Sequence, residues 1–149
     1  MNSNRVNLLT KIFAQGFRTP DWRHNEPPPV VSLEDFFEGN TDPRSLAVNL
    51  GDHPGLEYFY DRLRKIRSRD DVADVLVNIY DLDNIILGEE NGWPVAENVH
   101  ILTQASEAII QEWADELRSN GAIEGWPYGR AKEILEPPPG FKWWALSWD

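Results

Sequence analysis

Two stretches of the chain, residues 45–82 and 98–149, repeat one plan, and that repetition constrains the fold more than any other feature. Each reads as alternating apolar residues, then apolar residues at helical spacing, then alternation again. In the first stretch Leu46, Val48 and Leu50 share one face of a strand over Ser45–Leu50. Asp52-His53-Pro54 then opens a helix whose stripe is Leu56, Phe59, Leu63 and Ile66, with proline tolerated in the first turn. Val72–Leu82 is rich in β-branched residues, with Val75, Val77 and Ile79 on one face. In the second stretch Val99 and Ile101 share a face of a strand over Asn98–Thr103. Ser106 caps a helix with the stripe Ile109, Ile110, Trp113 and Leu117, and Gly121 takes the C-terminal glycine position. Phe141–Trp148 is a strongly aromatic strand.

The order β-α-β-β-α-β predicts an α+β, ferredoxin-like two-layer sandwich: a four-stranded antiparallel sheet in the order 4-1-3-2, with both helices on one face. The competing arrangement is a mixed sheet to which the N-terminal arm adds a fifth strand.

That arm is set apart by charge. Residues 1–24 carry four basic groups and one acidic group, net +3, while residues 25–149 carry ten basic and twenty-four acidic groups, net −14. Glu26-Pro27-Pro28-Pro29 marks the seam, because consecutive prolines hold an extended chain and cannot continue a helix. Residues 1–29 therefore read as a basic arm and Pro-rich spacer, and 30–149 as a single α+β domain. Val6, Leu9, Ile12, Phe13 and Phe17 give the arm a helical stripe, which predicts that it docks on its own acidic body. Ser32–Glu38 reads as a short helix capped by Ser32.

Composition excludes several classes of function. Cysteine is absent, so there is no disulfide framework, thiolate metal site or thiol nucleophile. A net charge of −11 opposes binding to a phosphate backbone and argues against a nucleic-acid partner. No apolar run approaches the roughly 18 residues of a membrane span, and no signal peptide is visible, so no membrane partner and a cytoplasmic setting are expected.

In the predicted topology the connections 51–55, 83–97 and 121–140 share one end of the sheet. That end would gather Gly92-Trp93-Pro94 and Gly125-Trp126-Pro127, with Tyr128 beside the second. Proline after tryptophan holds its backbone extended, so each indole sits on a stiff loop. Either the indoles pin their loops to the core, or Trp93, Trp126 and Tyr128 wall a binding surface. Asp52, His53, Asp81, Asp83 and Glu97 fall at the same end. Carboxylates and a histidine can hold Mg²⁺ or Mn²⁺, but in an acidic chain they also form a solvated rim. No HExxH, Walker loop, GxSxG or EF-hand pattern accompanies them, and no cofactor motif is present.

The sheet face turned away from the helices is the second candidate. Alternation assigns Asn49, Asn78, Tyr80, Asn98 and His100 to it, joined by either Trp143 or the pair Trp144 and Trp148. Single-strand RNA-binding modules share this aromatic layout, but no RNP-type motif occurs and the charge is wrong. The expected covers are the arm, the Pro-rich 136–140 segment or a second copy of the chain. Arg62, Arg64, Lys65, Arg67 and Arg69 crowd the C-terminal end of the first helix, where cations favour the negative end of its dipole.

Dense aromatics with no catalytic signature predict a non-catalytic protein-binding module. Its partner would be a basic protein, held in the immunity- or inhibitor-like manner, or another copy of the chain through the sheet face. The alternative is a small metal-assisted hydrolase using Asp81, Asp83, Glu97 and His53.

Overall fold

The computed structural model describes residues 2–17, 27–131, 134 and 136–148. In chain order the elements are α1 (Ser3–Ala14), β1 (Val30–Ser32), α2 (Leu33–Phe37), a 3₁₀ turn (Pro43–Ser45), α3 (Leu56–Arg67), β2 (Val72–Asp81), α4 (Asp83–Ile86), β3 (Val95–Thr103), α5 (Glu107–Glu116), β4 (Ala122–Glu124) and β5 (Lys142–Ser147). All five strands form one antiparallel sheet in the order β1-β2-β3-β5-β4. Among the described residues no helix is long and apolar enough to cross a membrane.

The segments of clear periodicity fold as expected. The Ser32 hydroxyl accepts from Asp35 N and caps α2, and Ser106 accepts from Ile109 N and caps α5. Phe59, Leu63 and Ile66 of α3 and Ile110, Trp113 and Leu117 at α5 are buried against Val75, Val77, Ile79, Val99, Ile101, Trp144 and Leu146 of the sheet. These helices and the alternating residues of β2, β3 and β5 share one core on one face. The left-handed residue after α5 is Arg118 (φ 57°) rather than Gly121. Its N–H bonds Asp115 O and the next N–H, of Ser119, bonds Ala114 O, which together close the helix in a Schellman arrangement.

Three expectations fail, and the two that concern strands depend on long-range pairing. Residues 45–50 form no strand. Asp42 caps the 3₁₀ turn, Leu46 makes a single parallel bridge to Ala96, and Ala47 turns left-handed (φ 57°), so Val48 points into solvent. The next helix starts at Leu56, with Gly55 as its N-cap, rather than at Asp52-His53-Pro54. Finally, two three-residue strands replace the missing one at the sheet edges. β1 pairs with β2, and β4 pairs with β5. Because β4 runs back along the sheet after α5, β5 returns antiparallel to β3 (His100 opposite Ala145) and takes its place directly beside it. The ferredoxin-like order 4-1-3-2 would give the last strand the direction of β3, so it is not the order that forms.

The arm docks through α1, which packs on α2 and β1 with Leu8, Ile12 and Phe17 buried. The predicted stripe is rotated, for Val6 and Phe13 are exposed. Gln15 both donates to Val30 O (2.6 Å) and accepts from Val30 N (2.9 Å), so its amide satisfies the outer edge of β1. Lys11 pairs with Asp35 at 2.7 Å, and Arg5 Nη1 donates to Gly92 O at 3.0 Å. Residues 18–26, the rest of the arm up to Glu26 of the seam, lie outside the described residues.

Candidate functional site

The sheet face away from the helices is lined by Asn78 on β2, Asn98 and His100 on β3, and Trp143 and Ser147 on β5, all buried. Tyr80 shares this face at the end of β2. Asn49 does not, because the turn that replaces the first predicted strand carries it beside Arg118, Ser119 and Trp148 instead. Register settles which aromatics belong here. Trp143 stands on this face, whereas Trp144 and Trp148 belong to the helix-side core, and the Trp148 indole donates to Leu117 O at 2.9 Å.

The chain covers this face itself. Pro28 O and Pro29 O accept from the Asn78 amide (3.2 and 3.1 Å), and Pro29 O also accepts from Ile79 N at 2.9 Å, which lays the proline spacer along β2. From the other side the turn Gly125–Gly129 folds back over the sheet. Its Trp126 ring stacks on His100 with centroids 3.8 Å apart and planes 21° apart, and meets Trp143 at 5.0 Å. Gly129 lies against Pro27. Among the described residues the covers are thus the spacer and the second Gly-Trp-Pro turn.

Between the two covers a cleft of about 150 Å³ stays open. Pro28, Tyr80 and Tyr128 are among its walls, with Glu97 and the Asn78 and Asn98 amides. Ser147 Oγ donates to Asn98 Oδ1, which turns the Asn98 N–H₂ group to the other side. Asn78 spends its N–H₂ on the prolines, so its Oδ1 faces His100 Nε2 at 3.5 Å, and the ring must donate there. His100 is therefore the Nε2–H tautomer with an unprotonated Nδ1. Burial pushes its pKa down from 6.5 to about 3, so the ring stays neutral. His100 Nδ1 and the indole N–H groups of Trp126 and Trp143 are all buried with no hydrogen-bond partner among the described residues.

The remaining candidates do not converge. Trp93 is buried in the helix-side core, and its N–H donates to Asp42 Oδ2 at 3.2 Å, so the two Gly-Trp-Pro indoles lie on opposite faces of the sheet rather than at one rim. Gly92 is required there by close approach, since a Cβ would meet Asn84 O at 2.6 Å. His53 has a structural role: Nε2 bonds Leu46 O at 2.8 Å, so Nδ1 accepts from Gly55 N at 3.0 Å. The Asp52 side chain is fully exposed, and Arg118 donates to its backbone carbonyl. Asp81 Oδ1 accepts from Asp83 N and shapes the start of α4. Only Glu97 and Tyr128 of that predicted group reach the cleft. Among the described residues no three His, Cys, Asp or Glu side chains come together to hold a metal ion, so the carboxylate–histidine set fails on geometry. The basic run on α3 is internally matched. Arg62 pairs with Glu116 and covers Tyr58, Arg64 and Lys65 pair with Asp61, Arg67 with Glu34 and Arg69 with Asp71.

Sequence reasoning missed Pro28 as a wall and Trp126 as a cover. The Pro-Pro-Pro and Gly-Trp-Pro signals were visible, but nothing local says which sheet face they cross.

These features define a two-layer α+β protein whose second sheet face is covered by its own proline spacer and tryptophan turn, with an aromatic-walled cleft between them. Residues 4–146 match the family described as the uncharacterized protein YfbO family, and the chain belongs to it. It is 32% identical over 124 residues to the uncharacterized protein YfbO of Escherichia coli (strain K12), covering 83% of this chain and 84% of that protein. No solved structure matches the chain.

Proposed function

We propose that the protein is a non-catalytic binding module that holds a basic protein partner, with the cleft receiving one cationic side chain. The lining of the cleft carries this reading: two tyrosine rings, a carboxylate and two amides on a chain of net charge −11. A tyrosine face attracts a cation within about 6 Å of its centroid, by roughly 0.5–1 kcal/mol when exposed and about 2 when desolvated. The cleft is smaller than the roughly 300–1,000 Å³ of drug-sized sites, a scale that suits a single side chain. The acidic body speeds encounter with a basic surface without selecting among such surfaces, so specificity falls to the cleft. An inhibitor- or immunity-like role fits a module of this kind.

The test is capture from cells that naturally make the protein, repeated with Tyr128→Ala. A stoichiometric basic protein should be recovered, released by salt, and lost at least tenfold with the variant at unchanged melting temperature. Recovery of no partner, or one that ignores Tyr128→Ala, refutes the reading.

A further inference from the structure

Two amides line the cleft, and they are held in different ways. Asn78 is locked. Its N–H₂ group donates to Pro28 O and Pro29 O, and a carbonyl can only accept, so the amide has one workable orientation. Asn98 is not locked. Its side-chain bond among the described residues is the one that Ser147 Oγ donates to Oδ1. A hydroxyl donates or accepts equally well, so it does not dictate which end of the amide it meets.

Asn98 is 5% exposed, while Tyr80 and Tyr128 are 36% and 50% exposed, so the amide belongs to the floor of the cleft and the rings to its rim. With Oδ1 held by Ser147, the N–H₂ group points the other way and has no hydrogen-bond partner among the described residues. A buried polar group left in that state calls for a physical reason. A cationic side chain that enters tip-first carries only N–H donors. Against the amide as it stands, donor would meet donor. Turning the amide over removes the conflict. Oδ1 then faces the cleft, and one N–H donates to Ser147 Oγ. The protein keeps one bond between the two side chains in either arrangement, and the terminal torsion of asparagine is broad enough to allow both.

We propose that Asn98 is the specificity-determining residue of the cleft: its amide turns over on binding, so that Oδ1 accepts from the cation while Ser147 Oγ changes from donor to acceptor. This rests on the cationic reading of the cleft given above. Hydrogen bonds to a charged group are the stronger ones, which favours the turned arrangement once the cation is present. Asn78 cannot respond in this way, because its bonds to both proline carbonyls would be lost. The tyrosine rims attract any cation, but only one that bears N–H groups gains the Asn98 oxygen. The cleft therefore selects a primary ammonium or a guanidinium over a quaternary ammonium of the same charge.

The test titrates the full-length protein, ¹⁵N-labelled on its side-chain amides, with butylammonium, butyltrimethylammonium and N,N-dimethylacetamide, which has an acceptor and no N–H. Butylammonium should bind saturably and about tenfold more tightly than the quaternary ion, the worth of one hydrogen bond to a charged group. Asn98→Leu, which nearly keeps the shape, should abolish that preference at unchanged Tm. In the native chain, magnetisation transfer between the Asn98 N–H₂ protons and the Ser147 β-protons should strengthen as butylammonium is added, and this readout decides if Asn98→Leu does not fold. A native chain without the preference, a preference that survives Asn98→Leu, or butylammonium bound more tightly by that variant overturns the proposal alone and leaves a cation in the cleft. Dimethylacetamide bound in place of both cations, or neither cation bound, overturns the proposal together with the reading it rests on.

Discussion

Asp42 ties three segments that no local pattern connects, and replacing it with asparagine isolates what that tie contributes. Its carboxylate is 2% exposed. Oδ1 accepts from Arg44 N (3.0 Å) and Arg44 Nε (2.8 Å), and Oδ2 accepts from Arg44 Nη2 (3.3 Å), Asn84 Nδ2 (3.2 Å) and Trp93 N (3.2 Å). Both oxygens face only donors. In Asp42→Asn one oxygen becomes N–H₂, and either rotamer sets donor against donor. With the nitrogen at the Oδ2 position, the buried Trp93 N–H loses its acceptor; with it at Oδ1, Arg44 N does. An unpaired buried donor costs about 1–3 kcal/mol, and the bonds that survive lose the charge of the carboxylate. A loss of roughly 2–4 kcal/mol follows, which for a domain of this size lowers Tm by about 6–12 °C at the middle of that range. Guanidinium and thermal unfolding, followed by circular dichroism and tryptophan fluorescence, read both quantities. Arg44→Gln is the control. It removes an exposed guanidinium but leaves the other donors satisfied, so its effect should be much smaller. A loss under about 0.5 kcal/mol in Asp42→Asn would refute the reasoning, because no rotamer of the amide avoids the clash.

Two further predictions concern pH. His100 is neutral when folded down to about pH 3, whereas the unfolded chain takes up the proton near 6.5. Its contribution is fully present above 6.5 and falls as the pH drops toward 3, by about 1.4 kcal/mol per unit, or roughly 2.5 kcal/mol by pH 4.5. Comparing guanidinium midpoints at pH 7.5 and 4.5, His100→Phe should show that much less acid destabilisation than the native chain; parallel slopes count against the buried neutral ring. Asp74 is the reverse case. Burial pushes its carboxyl above the usual value of 3.8, so holding it ionised costs stability at neutral pH, and the cost disappears as the pH falls through the raised value toward 3.8. Asp74 accepts from Val75 N at 2.9 Å, a bond an asparagine oxygen keeps. Asp74→Asn should therefore raise Tm at pH 7 and not at pH 3.5, and a lower Tm at pH 7 contradicts the argument.

The elements whose signals are local were legible in the chain of residues alone. The helical stripe and Ser106 cap of α5, the stripe of α3, the Ser32 cap of α2 and the alternation of β2, β3 and β5 are all there, because periodicity and capping act within a few residues. The sheet-face assignment of Asn78, Tyr80, Asn98 and His100 followed from the same alternation. Tertiary structure decided the rest. Three-residue strands such as Val30–Ser32 and Ala122–Glu124 are too short to carry a period and exist only because β2 and β5 offer backbone partners. The second of them reverses β5, so the topology depended on a segment without a local signature. Leu46, Val48 and Leu50 alternate as a strand does, yet the left-handed Ala47 turns them out of the sheet. The two Gly-Trp-Pro tripeptides show the division most directly. Their local chemistry is the same, but Trp93 is drawn into the helix-side core beside the Asp42 hub, while Trp126 closes over His100 on the opposite face. A tripeptide sets how an indole is presented; which surface it meets depends on long-range pairing of the backbone, and no residue within the tripeptide encodes that.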